Sequence, residues 1–154
     1  MNPGVSVQVL SEDNAAAVAS VRPSWADVVP SCLERSRNGI SVTFVAFLGG
    51  RAVGLADLAS GDVPEIKNVG VVQEFRGQGI GSILMMEMER WAARGHTAVT
   101  LRVGLENNDA RRLYLRLGYL PTGETSTVSY EYLDDDGQLR TATETDAWMS
   151  KGLA

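Results

Sequence analysis

Cysteine is almost absent from this 154-residue chain. Cys32 stands alone, which excludes an intrachain disulfide framework and a multi-cysteine zinc site. It reads as a small buried apolar residue rather than a nucleophile. Histidine is also single: His96, beside Gly95 at a predicted helix end, reads as a C-terminal cation or a bystander. No apolar run reaches the roughly 18 residues of a membrane span, and Met1 to Leu10 lacks the basic-then-apolar layout of a signal. A cytoplasmic protein without a membrane partner is expected. Positive charge is the minority sign, with a net charge of −5, so there is no electrostatic footprint for nucleic acid. An acidic balance suits a neutral or cationic substrate better. Asp134 to Asp136 are followed by no further ligand spacing, so a solvated turn is expected there and no metal site.

The length and an apolar content of 44% suit one domain, residues 1–154, around a single core. Val5 to Leu10 alternates as a strand, and Ser11 to Asn14 offers caps for a helix from Ala15 to about Val21. Pro23 can open a second helix, Trp25 to about Arg37, ended by Asn38-Gly39. Val42 to Leu48 and Arg51 to Ala59 read as a hairpin around Gly49-Gly50. Glu65 to Val72 is the next strand. A long helix then runs to about Arg94, with Gly95 placed to stop it. Thr97 to Val103 alternates as a strand. Asn107 to Asp109 caps a helix whose Ala110, Leu113 and Leu117 face inward and which Gly118 closes. Thr125 to Leu133 and about Arg140 to Met149 form two strands around Asp134 to Gly137. The predicted class is α/β, a mixed sheet with helices on its faces, in the order β-α-α-β-β-β-α-β-α-β-β.

One stretch carries chemistry. Val69 to Val72 is a short β-branched run; Arg76-Gly77-Gln78-Gly79-Ile80-Gly81-Ser82 follows and opens the long helix. An apolar stripe on Ile80, Ile83, Leu84, Met88 and Trp91 gives that helix one buried face, with Met85 and Met86 read as core filler. The first amides of a helix lack intrahelical partners and carry partial positive charge. Glycines at 77, 79 and 81 let the backbone approach a ligand closely, and Arg76 adds a cation. The combination predicts a cradle for a pyrophosphate. A dinucleotide-binding oxidoreductase is the competing reading. It would need an acidic residue about 20 positions past the turn, but residues 99 to 103 hold no carboxylate and Glu106 comes late.

These residues resemble the GNAT superfamily of acyl-CoA-dependent N-acetyltransferases. Its signature, Arg/Gln-x-x-Gly-x-Gly/Ala at the mouth of a helix, is matched by Arg76 to Gly81. Asn107, Ala110, Tyr114, Gly118 and Tyr119 reproduce a second family pattern, while Gln73 stands where many relatives carry proline. The resemblance implies acetyl-CoA as co-substrate. Arg76, Gly77, Gln78, Gly79, Gly81 and Ser82 would hold its pyrophosphate, and Val69 to Val71 would flank the pantetheine. Asn107 would contact the pantetheine or order the loop beside it, and Ala110 would also belong to the cofactor site. A backbone N–H near Val71 would support the oxyanion formed as an amine attacks, an effect typically worth a few kcal/mol. Tyr114 would protonate the departing thiolate, a role suited to a phenol of pKa roughly 10 and a thiol of roughly 8.5. An amine of pKa near 10.4 is only about one part in a thousand neutral at pH 7, so a base must take its proton. Glu65, where several relatives carry a catalytic glutamate, is either that base or a solvated edge carboxylate. Arg102 occupies the position other relatives use.

The resemblance places the acceptor pocket in the first two helices and the last two strands, the least family-like parts of the chain. Trp25 and Tyr130 or Tyr132 are candidates for its walls, and Asp27, Glu34, Glu131 and Glu144 for greeting a cation. The expected acceptor is a small cationic amine. A protein N-terminus or lysine is the alternative, as is a non-catalytic acyl-CoA-binding protein. The final strands offer an edge through which two copies could form a homodimer.

Overall fold

The computed structural model describes residues 4–153 of the chain. Among them, seven strands and four α-helices follow the predicted order, so the class is mixed α/β. No helix of the described residues is long and apolar enough to cross a membrane. Packing divides the chain into two compact units, Met1–Val99 with Gly152–Ala154 and Thr100–Lys151.

In the first unit, strands β1 (Val5–Val9), β2 (Ser41–Leu48), β3 (Arg51–Ala59) and β4 (Glu65–Val71) pair antiparallel in chain order. The Gly49-Gly50 turn between β2 and β3 has both φ angles positive, 60° and 80°, the geometry that matches strand twist and that only glycine adopts freely. Helix α1 (Ala15–Ala19) stops two residues before the expected end, where Val21 N–H reaches back to the Val18 carbonyl. Asn14 does not cap α1 with its side chain. It ties the entry loop instead, accepting from Ser11 N–H and donating to the Val9 carbonyl. Helix α2 (Pro23–Arg37) begins on its proline and buries Trp25, Val29 and Cys32 at helical spacing. They pack with Leu10, Val18, Val45, Phe47, Leu55 and Val72 into one core.

The short 3-10 turn Gln73–Phe75 leads towards helix α3 (Ile80–Ala92). Its buried face is Ile80, Leu84, Met85, Met88 and Ala92. Two expected members fall outside it: Ile83 is half-buried and Trp91 is 37% exposed. At 3.6 residues per turn, Met85 and Ala92 fill the seam and leave Trp91 on its rim, edge-on to Phe44 and under the Arg94 guanidinium. Met86 is exposed, unlike Met85 and Met88. Gly95 is not the stop: it lacks a positive φ, and its N–H and that of His96 both close onto the Ala92 carbonyl. The helix therefore ends two residues earlier than predicted.

In the second unit, β5 (Ala98–Gly104) alternates as expected, burying Leu101 and Val103. Asn107 caps α4 (Asn108–Arg116), its side-chain oxygen accepting from Ala110 N–H at 3.2 Å, and Gly118 leaves the helix at φ 98°. The final strands are longer than the sequence suggests. β6 (Leu120–Leu133) starts five residues early and β7 (Leu139–Gly152) ends three late, in the spatial order β5-β7-β6. The breakers Pro121 and Gly123 mark a register shift between Pro121 and Thr125 rather than the end of the ladder. The Asp134–Gly137 turn forms as predicted, Gly137 taking φ 78°.

Candidate active site

The glycine turn builds the helix mouth the sequence calls for. Gly77 and Gly79 sit at φ 80° and 79°, in the left-handed region that a side chain makes costly. A Cβ on Gly77 would meet nothing within 4 Å, so backbone conformation rather than space demands glycine there. Gly79 is the N-cap of α3 and contributes no side-chain cap. The first helical bond in this turn is Ile83 N–H to the Gly79 carbonyl, 3.0 Å, leaving the amides of Ile80, Gly81 and Ser82 ahead of it. Val69 and Val71 face Gly81, their methyls 4.0 Å from where its Cβ would stand. Arg76 is anchored beside the turn, its Nε donating to the Val71 carbonyl at 3.1 Å. An uncapped helix start with an adjacent fixed cation fits a diphosphate.

A cavity of about 400 Å³ opens under α2, walled by Trp25, Val28, Cys32 and Arg35 and floored by Thr43, Leu55, Asp57, Asn68 and Gly70. Among its lining residues is Asp57, which lies opposite Lys67 in the β3–β4 ladder. One carboxylate oxygen accepts from the Thr43 hydroxyl at 2.6 Å; the other accepts from the Asn68 amide at 2.9 Å. Arg35 Nη2 stands 3.7 Å away, an ion pair without a hydrogen bond. Asn68 reaches Asp57 because β4 is bulged. Leu55 pairs with Gly70 and Asp57 with Lys67, so two β4 residues oppose Ala56 alone, and Asn68 turns to φ 57°. Asparagine tolerates that conformation better than other side-chain-bearing residues.

The predicted site residues distribute as follows. Trp25 lines this cavity, 9% exposed, with the Arg22 guanidinium over its ring. Asp27 and Glu34 lie on the exposed face of α2. Glu65 pairs with Ala59, two ladder positions beyond Asp57 and on the same face, and does not line the cavity. In the second unit, Asn107 is the α4 cap already described. Tyr114 is half-buried, its ring edge-on to that of Tyr119 at 6.1 Å, and burial raises its phenol pKa above 10.0. Tyr130 and Tyr132 are exposed neighbours on β6, and the Tyr130 hydroxyl donates to Glu144. Sequence reasoning missed Arg35, Asp57 and Asn68. Asp57 did leave a signal, as the one charged residue in the otherwise apolar run Ala52–Ala59.

Comparison with known proteins identifies the family. The model of the acetyltransferase (GNAT) family matches residues 7–119. An uncharacterized N-acetyltransferase of Methanocaldococcus jannaschii is 33% identical over 96 residues, 56% of this chain and 41% of that protein. The chain spans about two fifths of the length of the curated relatives it matches. Among solved structures, the ribosomal-protein-S18-alanine N-acetyltransferase of Escherichia coli superimposes with a TM-score of 0.69 at 19% identity, covering 97% of this chain and 94% of that one. A GNAT acetyltransferase of Elizabethkingia anophelis with acetyl-CoA bound gives 0.70 at 16% identity, covering 99% and 100%. At such identities the structural likeness is one of fold. The match across 7–119 is what decides: the chain belongs to the GNAT acetyltransferase family.

Proposed function

We propose that the protein moves an acetyl group from acetyl-CoA to the primary amine of a small molecule by direct attack. The observation that carries this reading is the uncapped start of α3, with left-handed Gly77 and Gly79 before it and Arg76 fixed beside it. The amides of Ile80, Gly81 and Ser82 bind the diphosphate, with Gln78 in the turn between the glycines. Val69 and Val71 position the pantetheine, and a backbone N–H near Val71 polarises the thioester carbonyl. Asn107, whose side chain caps α4 by accepting from Ala110 N–H, and Ala110 itself are assigned to the coenzyme by the family resemblance. The ammonium first loses a proton to water; as the neutral amine nitrogen bonds to the carbonyl carbon and the C–S bond breaks, Tyr114 gives its proton to the sulfur. The nitrogen's second proton leaves through water towards Glu65, which lies beyond the cavity lining. Burial raises the phenol's pKa, so it holds its proton until the thiolate departs and gives it up less readily than a free tyrosine.

The acceptor enters the cavity under α2, where Asp57 offers a carboxylate to its ammonium and Trp25 an apolar wall. A cavity of this volume suits a small molecule better than a protein N-terminus or lysine. Calorimetric titration with acetyl-CoA tests the cradle, and thiol release over a panel of amines tests the transfer. Acetyl-CoA binding without release on any amine or peptide would leave an acyl-CoA-binding protein; absence of binding would remove the reading.

A further inference from the structure

We infer that the acceptor carries a carboxylate next to its amine, as an apolar α-amino acid does, and that Arg35 and Asp57 read those two charges together. This rests on the acetyltransferase reading above and narrows its acceptor. The cavity holds one cation and one anion rather than a set of acids. The two are held unequally. Asp57 is fixed by bonds of 2.6 and 2.9 Å from Thr43 and Asn68. Arg35, among the described residues, hydrogen-bonds to neutral groups: long bonds of 3.3 Å to the hydroxyls of Ser41 and Ser31, and one to the weakly accepting Cys32 sulfur. It also stands 3.7 Å from Asp57, close enough to attract but too far to hydrogen-bond. A guanidinium with weak partners, 36% exposed, can exchange them for a bidentate carboxylate.

The charges select the ligand. A lone ammonium would meet a carboxylate already half-neutralised by Arg35, and a polycation would be repelled by it. A molecule whose amine and carboxylate sit on one carbon completes a square of alternating charges. Each ligand group then faces its opposite, and no net charge is brought into a partly enclosed cavity. The small offset between the protein charges excludes ligands whose charges lie at opposite ends of a chain. Trp25, Val28 and Leu55 leave an apolar wall for the side chain. The β4 wall, Asn68 and Gly70, adjoins Val71 and so directs the amine towards the thioester position.

The test is thiol release from acetyl-CoA by the full chain, across free apolar and aromatic amino acids, their amides and their decarboxylated amines. At least one free amino acid is expected to exceed both of its counterparts in kcat/KM by about tenfold or more, the usual range for a charge-assisted contact. Arg35→Met should erase that preference, bringing the amino acid down to its decarboxylated amine, while Arg35→Lys restores part of it. Asp57→Asn should lower every amine in the panel. If the amide or the decarboxylated amine is used as well as the amino acid, the paired-charge inference is overturned and acetyl transfer stands. If acetyl-CoA binds but no free amino acid is acetylated, the inference is likewise overturned. If acetyl-CoA neither binds nor reacts, the acetyltransferase reading itself falls. Should Arg35→Met fail to fold, the wild-type panel and Arg35→Lys still decide.

Discussion

Replacing Gly54 with alanine should loosen the helix that carries the cradle. A Cβ at this position would stand 3.0 Å from Leu84 Cδ1, 3.2 Å from Ile80 Cγ2 and 3.4 Å from the Gly70 carbonyl oxygen. Leu84 is 0% and Ile80 1% exposed, so neither can swing into solvent to make room. Overpacking of this kind costs about 1–3 kcal/mol. Alanine also restricts the unfolded chain, which returns about 0.4–1 kcal/mol. At the midpoints of these ranges the clash wins by about 1.3 kcal/mol, so a net loss of about 1–2 kcal/mol is expected. For a chain of 154 residues, each kcal/mol moves Tm by about 2–4 °C, so a fall of about 2–8 °C is expected. Circular-dichroism melts and urea midpoints measure it, and Gly54→Val should lose more. There is a second consequence, because Ile80 is the first residue of α3. Pushing it outward displaces the amides that follow, so acetyl-CoA should bind more weakly at a temperature where the variant is fully folded. A Gly54→Ala protein melting at or above wild type would refute the packing argument; a stable fold loss with unchanged acetyl-CoA affinity would refute its link to the cradle.

Three further outcomes follow. Gly79→Ala must place a side chain at φ 79°, at a cost of about 1–2 kcal/mol, and should raise the calorimetric dissociation constant for acetyl-CoA more than it lowers stability. Tyr114→Phe should keep acetyl-CoA binding and lose turnover. Because burial raises the folded phenol's pKa, the unfolded chain ionises first, so wild-type stability should fall as pH rises past 10.0, and urea midpoints should fall less steeply in Tyr114→Phe. Asn68→Ala loses the bond to Asp57 and strains the bulge, whereas Asn68→Gly loses only the bond; chemical denaturation should find alanine worse by about 1 kcal/mol.

How much of this was legible in the sequence depends on the distance over which each feature is encoded. The glycine turn and the Gly49-Gly50 hairpin were readable because positive φ is demanded residue by residue, and glycine answers that demand in place. Asn107 was readable as a cap because its partner, Ala110, is three residues away. Errors arose where a local signal had two meanings. Gly95 looked like a helix stop, yet the turn closes through the Ala92 carbonyl without a left-handed residue. The strand expected from Thr125 starts at Leu120, its ladder continuing across a register shift between Pro121 and Thr125.

The pocket under α2 was illegible for a different reason. Thr43, Asp57 and Asn68 lie 11 and 14 residues apart in bonded pairs, and they meet only because the β2–β3 and β3–β4 registers bring them level. Arg35 joins them from a helix. Shifting the bulge at Asn68 by one residue would turn its amide to the other face and leave one Asp57 oxygen without that donor. In the proposed reading, register therefore sets which acceptor is read, while the amides at the mouth of α3 require only a helix that starts without a cap. A family can keep the second and vary the first. That division explains why the co-substrate could be expected from a short motif, whereas the acceptor had to be sought in the packed side chains of β2, β3, β4 and α2.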